Sequence, residues 1–352
     1  MKKILLHTIA SEKIGGTTTV IKEIQTSYLN EKFNFVNLYQ TEACGFNPIK
    51  AIRFVLKYKR LIDKEHADAI YICGLLYSGF LITLAAKLSN VKRVIVSVHG
   101  SEWDRPNSKL LNRFILCKIL EPITVRLADS VFTVCKKALE NPAVMIKKSA
   151  TVIYNRIPQI DYKTIETGMI RAELGIEQNK LVVTVVGRVV EGKGHRYIID
   201  AIKKMADPRF VFLIVGDGPY TDIYEKECKT EISNGSVKLL GVRGDVYKIL
   251  KDSDIFLFAT LHENHSKSLL EAVCMRCAAL CTNVGGNPEI IDDGVSGILM
   301  PPKDSDAIVR GLLKLADSKL RSFYSNNALR INSEKYSDVN TLGKLETLFA
   351  HD

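Results

Sequence analysis

Residues 181–194 read Leu-Val-Val-Thr-Val-Val-Gly-Arg-Val-Val-Glu-Gly-Lys-Gly, six apolar or β-branched residues running into a loop that sets Arg188 and Lys193 among Gly187, Gly192 and Gly194. An apolar run of this length, followed by glycines and then a helical pattern, reads as a buried strand, a loop and a helix. The pattern recurs downstream. Phe210 to Val215 runs into Gly216-Asp217-Gly218-Pro219, and Ile255 to Ala259 precedes Glu263 and Glu271. Ala279 to Thr282 precedes Gly285-Gly286-Asn287-Pro288-Glu289. Glycines and charges therefore gather at the carboxyl ends of strands, where open α/β sheets bind ligands.

The same alternation fills the first half of the chain. Short apolar runs at Ile4 to Ile9, Phe33 to Leu38, Ala69 to Cys73, Val94 to Val98, Val131 to Val134 and Thr151 to Ile153 are separated by helical patterns. Such alternation predicts mostly parallel sheets wrapped by helices. Pro158 to Lys163 is polar and contains proline, and is the candidate linker. The expected fold class is therefore α/β, two Rossmann-like doubly wound domains with a cleft between them, at 1–163 and 164–336.

Length suits that division: 352 residues are many for one core and comfortable for two. With 46% hydrophobic and 25% charged residues the composition is that of a soluble globular protein. The opening Met1-Lys2-Lys3-Ile4-Leu5-Leu6-His7 has too short an apolar run for a signal peptide and reads as a first buried strand. No run reaches the ~18 apolar residues of a membrane span, so a cytoplasmic protein is expected. Cys274-x2-Cys277-x3-Cys281 is compact, but it lies across a buried helix and a buried strand with no second pair or histidine cluster nearby. Buried thiols are expected there, with no metal site and no disulfides.

Charge is uneven. Residues 1–163 hold 25 Lys or Arg against 13 Asp or Glu, a balance of +12, and the remainder holds 24 against 26, a balance of −2. Within the basic half, a helix starting near Asn47-Pro48 carries Lys50, Arg53, Lys57, Arg60 and Lys64 within an arc of about 80°. Ala51, Phe54, Val55, Tyr58, Leu61 and Ile62 occupy the adjacent face. This reads as a solvated helix packing its apolar side, or as a helix lying on an anionic membrane surface. Nucleic acid is not an expected partner, because basic and aromatic residues do not interleave and no recognition motif is present.

In order and spacing, Gly187-Arg188-x4-Lys193-Gly194, the Glu263-x7-Glu271 pair and the glycine loops resemble the nucleotide-sugar half of a GT-B glycosyltransferase of the retaining family 4. The resemblance is specific in the second half and generic in the first. It implies that Arg188 and Lys193 meet the departing diphosphate, that Glu271 accepts from the ribose hydroxyls, and that Glu263 contacts the transferred sugar. Asn264, His265 and Ser266 lead into a helix whose N–H groups would face the phosphates, and His265 would influence which sugar fits. Gly216 and Gly218 would lie beside the base, with the backbone of Val242 near it and Arg243 a further candidate there. In the first half, Gly15 and Gly16 would form an anion-binding loop, His99 would bind a hydroxyl of the sugar, and the last helix, about 337–352, would pack back on the first domain.

Two departures from the family stand out. Arg276-Cys277-Ala278 replaces a Gly-x-Pro that would stop the helix, and Tyr154-Asn155-Arg156 replaces a Pro-Asn-Gly. The implied activity is transfer of a hexose or N-acetylhexosamine, with retention, from a nucleotide diphosphate sugar, chiefly a UDP-sugar, to an acceptor hydroxyl. The acceptor implied by charge and context is a lipid-linked glycan of bacterial surface polysaccharide. No cofactor and no metal are expected. The competing reading is a nucleotide-sugar epimerase of the same fold.

Overall fold

The computed structural model describes residues 1–9, 16–41, 46–101, 110–205 and 207–351. The chain divides into two compact units, Met1–Arg156 with Ser337–Asp352, and Ile157–Tyr336.

The first unit holds six strands, β1 (Lys2–Ile9), β2 (Phe33–Gln40), β3 (Ala69–Cys73), β4 (Arg93–Val98), β5 (Ser130–Thr133) and β6 (Thr151–Val152). All pair in parallel, in the order β2-β1-β3-β4-β5-β6. The order reverses direction between β1 and β3, which places the switch point there. Strands covered on both faces need no polar alternation, and Ile4, Leu5 and Leu6 are all fully buried. On one face Leu5, Ile70 and Val94 pack with Phe54, Tyr58 and Ile62 of the helix Pro48–Glu65. On the other, Ile4, Leu6 and Ile95 pack with Leu342, Leu345 and Phe349 of the helix Asp338–Ala350. Phe349 lies edge-on to Phe33 at 5.6 Å and to Tyr71 at 6.0 Å. The C-terminal helix thus belongs to the first unit, and Arg156 pairs with Asp338 at its start, 3.1 Å away.

The second unit repeats the plan with β7 (Leu181–Val186), β8 (Phe210–Val215), β9 (Val237–Gly241), β10 (Ile255–Phe258), β11 (Ala278–Thr282) and β12 (Gly297–Met300). Their order is β12-β11-β10-β7-β8-β9, again parallel. Counted within the unit this is 3-2-1-4-5-6, the dinucleotide-binding order, with its switch point between β7 and β10.

The division falls after Arg156, not after Lys163 as the composition of the linker suggests. Three contacts within the second unit hold the proline-containing segment. The Ile157 amide donates to the Tyr336 carbonyl at 3.0 Å. The Cys274 thiol donates to the Pro158 carbonyl at 3.4 Å, and the Lys251 ammonium donates to the Tyr162 carbonyl at 2.9 Å. Cys274, Cys277 and Cys281 are buried thiols, and burial pushes the pKa of each upward. The helix that lacks its glycine stop ends at Cys274 all the same, because Arg276 takes the left-handed conformation itself, at φ 61°.

Candidate active site

The switch point of the second sheet brings the loops after β7 and β10 together. Gly194 lies so close to the end of β10 that a Cβ on it would stand 1.9 Å from the Ala259 carbonyl oxygen. Its φ of 74° starts the helix His195–Lys204. The Leu261 amide donates to the Gly192 carbonyl at 2.9 Å, and the Thr260 hydroxyl donates to the His262 carbonyl at the same distance. Further along, Gly285 at φ 53° leaves no room for a side chain, since its Cβ would stand 1.6 Å from the Glu263 carbonyl oxygen. The backbone of Glu263 is therefore gripped from the side of β11, while its side chain faces the β7 loop.

There Lys193 Nζ lies 2.6 Å from Glu263 Oε2, an ion pair between residues 70 positions apart in sequence, with both side chains about a fifth exposed. The other carboxylate oxygen of Glu263 accepts from the Asn264 amide at 3.2 Å. Lys193 Nζ also stands 5.1 Å from the centre of the Phe258 ring. Arg188 differs. It is exposed, and no described carboxylate lies within ion-pair range of its guanidinium. One cation of the loop is thus held in a neutral pair and the other is open to an anion.

The segment between the glutamates is well ordered by packing. Asn264, His265, Ser266 and Lys267 are buried. Ser266 caps the helix Lys267–Cys274 by accepting from the Leu269 amide. The His265 imidazole lies edge-on to Tyr336 at 4.6 Å, so it packs against the end of the unit; the sequence reading, which put it at the sugar, did not anticipate this. Glu271 is half-buried on the same helix.

Gly187, Gly216 and Gly218 join the same edge of the sheet, the Val189 amide donating to the Asp217 carbonyl at 2.9 Å and the Gly187 amide to the Val215 carbonyl at 3.0 Å. Val242, 73% exposed, follows β9 beside them. Arg243, the further candidate at the base, is paired with Glu173 at 2.8 Å and Asp245 at 2.7 Å.

His99 and Gly16 belong to the first unit. His99 follows β4, with Nε2 3.5 Å from the Tyr71 hydroxyl, and burial pushes its pKa down to about 4. The ring is neutral near pH 7 and can donate from one nitrogen and accept at the other. Gly16 is the first residue of the helix Gly16–Gln25, while Gly15 lies outside the described residues. Sequence reasoning passed over His195, which is 1% exposed and bonded to this loop. The one signal for it was its place directly after Lys193-Gly194.

Comparison with known proteins agrees with this geometry. Residues 167–332 match the family Glycosyl transferases group 1, and residues 20–129 match Glycosyl transferase 4-like. Residues 167–332 thus form the domain of the group 1 glycosyltransferases. It is similar to the UDP-Gal:α-D-GlcNAc-diphosphoundecaprenol α-1,3-galactosyltransferase of Escherichia coli, at 26% identity over 86% of this chain and 80% of that protein. It is also similar to the N-acetylgalactosamine-N,N'-diacetylbacillosaminyl-diphospho-undecaprenol 4-α-N-acetylgalactosaminyltransferase of Campylobacter jejuni, at 25% over 87% of this chain and 86% of the other. Among solved structures, Anabaena HepE in complex with UDP and glucose superposes with a TM-score of 0.80 over the whole of both chains, at 19% identity. The fold is GT-B, and the enzyme is a glycosyltransferase.

Proposed function

We propose that this glycosyltransferase moves a hexose or N-acetylhexosamine from a UDP-sugar onto a hydroxyl of a lipid-linked glycan, with retention at the anomeric carbon and without a divalent metal. The observation that carries the proposal is the pair of cations at the β7 switch-point loop, Arg188 open and Lys193 held against Glu263. A departing diphosphate needs positive charge placed before the bond breaks. Arg188 offers a planar fork for it, and Lys193 exchanges Glu263 for phosphate when the donor binds. Glu263 is then free to accept from a hydroxyl of the sugar as the anomeric carbon gains oxocarbenium character. The diphosphate assists the incoming hydroxyl on the face it leaves. Glu271 takes the ribose hydroxyls, and the N-terminus of the helix Lys267–Cys274 adds its dipole toward the phosphates.

Both relatives named above act, by their names, on diphosphoundecaprenol-linked glycans, which supports a lipid-linked acceptor. A membrane surface suits that acceptor, and the helix Pro48–Glu65 supports it. Its outward side carries the basic residues from Lys50 to Lys64 and also Ile49, Ile52 and Leu56, 62%, 61% and 48% exposed. Leu61, placed by periodicity on the packed face, is 39% exposed. Among the described residues no helix is long and apolar enough to cross a membrane.

The test is transfer of radiolabelled sugar from UDP-galactose, UDP-glucose and their N-acetyl forms to an undecaprenyl-diphosphate-linked saccharide, with and without EDTA. Labelled lipid formed equally in both conditions is expected. Donor isomerised in the absence of acceptor would replace transfer by epimerisation, and loss of transfer in EDTA with recovery in magnesium would refute the metal-free step. Sedimentation with vesicles containing anionic lipid, and not with neutral ones, is expected for the helix. Equal sedimentation of Lys50→Glu/Arg53→Glu/Lys57→Glu with the parent protein would show that the face is only solvated.

A further inference from the structure

His195 is the first residue of the helix that follows the cationic loop, and its ring is buried under that loop. Nε2 lies 3.2 Å from the carbonyl oxygen of Arg188, and Nδ1 lies 3.0 Å from the hydroxyl of Tyr224 in the helix Tyr220–Glu227. A carbonyl can only accept, so Nε2 carries the proton and donates to Arg188. Nδ1 is then a lone pair, and the Tyr224 hydroxyl must donate to it. The ring stands nearly perpendicular to Tyr224, at 81°. Burial pushes the imidazole down to about 4, so at neutral pH it is neutral and has one proton to give.

The other groups of the loop are held by backbone. The amides of Gly187 and Val189 donate to the carbonyls of Val215 and Asp217, and the Val189 carbonyl accepts from the Tyr220 amide. The Arg188 carbonyl accepts from the Val190 amide within the loop itself and, from outside it, from His195. The residue whose guanidinium is exposed is thereby tied through its own carbonyl to a side chain that begins the next helix.

We infer that His195, fixed by Tyr224, is a positioning residue for Arg188: it holds the Arg188 carbonyl so that the guanidinium is presented to the donor diphosphate. The inference rests on the reading of Arg188 given above, and adds the device that aims it. It also separates two kinds of ligand, because UDP carries the diphosphate and uridine does not.

The experiment measures UDP affinity by calorimetry, uridine affinity by ligand-observed NMR, and donor kcat and KM, for His195→Leu, His195→Gln, Tyr224→Phe and Arg188→Ala. His195→Leu keeps the volume and removes the donated hydrogen bond. It is expected to weaken UDP and lower kcat about tenfold each, the scale of one hydrogen bond, with uridine binding unchanged. His195→Gln places an amide donor near the Nε2 position and is expected to recover most of the loss. Tyr224→Phe leaves the imidazole but frees its tautomer, and a smaller loss of UDP affinity in the same direction is expected. If His195→Leu does not fold, Tyr224→Phe and His195→Gln carry the test alone. Equal loss of UDP and uridine in any of these variants, or no loss of UDP in either His195→Leu or Tyr224→Phe, overturns the positioning role. Unchanged UDP affinity in Arg188→Ala would overturn the reading of Arg188 first, and that result is independent of any His195 variant.

Discussion

The two sheets of this glycosyltransferase have nearly the same plan but use their glycines differently. At the carboxyl edge of the second sheet, Gly194, Gly216, Gly218 and Gly285 each sit where a Cβ would run into a backbone carbonyl, at 1.9, 1.8, 2.4 and 1.6 Å. At the same edge of the first sheet Gly79, in the helix after β3, would meet the Gly74 carbonyl at 2.2 Å, but Gly16 and Gly100 have nothing within 4 Å of that position. In the second unit glycine permits strand-end loops to interlock, and the rigid frame that results holds Lys193, Glu263 and Arg188 in place. In the first unit Gly16 and Gly100, at the loops after β1 and β4, leave space. A frame and a space are what a donor site and a surface for a second substrate respectively require, since the frame must be organised before the leaving group departs.

The contrast is broken most severely by Gly285→Ala. The added carbon cannot coexist with the Glu263 carbonyl, and φ at 53° is itself strained for alanine. A loss of at least ~3 kcal/mol is expected, which for a unit of this size lowers the melting temperature by roughly 6–12 °C. Urea unfolding followed by fluorescence, with UDP binding measured on the folded fraction, checks it. A variant as stable as the parent and binding UDP normally would show that the loop yields, and that the interlocking is not what holds Glu263.

This difference also explains how much was legible in sequence. Loops that demand glycine leave a pattern, so Gly187, Gly192 and Gly194 around two cations, and Gly216 to Pro219, mark the carboxyl edge of the second sheet in the sequence itself. Apolar runs buried on both faces marked the strands, and Asn47-Pro48 and Ser266 marked helix starts later seen as caps. What stayed hidden depends on partners distant in the chain. Nothing local to Lys193 announces an ion pair with Glu263, and His195 in a Gly-His-Arg-Tyr stretch looks as though it faces water. The polar passage Pro158 to Lys163 resembles a linker by composition, yet Cys274 and Lys251, more than 80 residues away, bind it to the second unit. Arg243 looked like a free cation until Glu173 and Asp245 were seen beside it. The order of strands is likewise absent from the pattern of alternation, which is the same for both sheets although their switch points differ.

A gentler change probes the frame's chemistry without disturbing its backbone. Glu263→Gln keeps the shape of the side chain and removes the charge that neutralises Lys193. The sequence alone suggests that UDP affinity would not respond to a change at Glu263, because the residue is assigned to the sugar. The ion pair predicts otherwise: Lys193 no longer has to give up a carboxylate to meet phosphate. A partly exposed pair contributes up to ~1 kcal/mol, so UDP should bind up to about fivefold more tightly. Turnover should fall, since a neutral amide oxygen replaces the ionised acceptor offered to the sugar. Calorimetry with UDP beside steady-state kinetics separates the two. Weaker UDP binding in this variant would mean that the Lys193–Glu263 pair persists in the complex and orients the lysine, so that the two residues act as one unit.

The smallest effect is expected in the first unit. Gly16→Ala adds a carbon into open space at the first residue of a helix, with no positive φ to oppose it. Alanine loses less backbone entropy than glycine on folding, so stability should be unchanged or slightly raised, within ~1 kcal/mol and a shift of a few degrees at most. Donor turnover is the more informative reading. If the space beside Gly16 is where a phosphate approaches the backbone at the helix N-terminus, turnover should drop while the melting temperature and UDP affinity of the second unit hold. A fall in stability comparable to that of Gly285→Ala would erase the distinction between the two edges, because it would show that the glycine of the first sheet is crowded as well. Unchanged turnover together with unchanged stability would leave the space real but unused, and would move the anion-binding role in the first unit away from this loop.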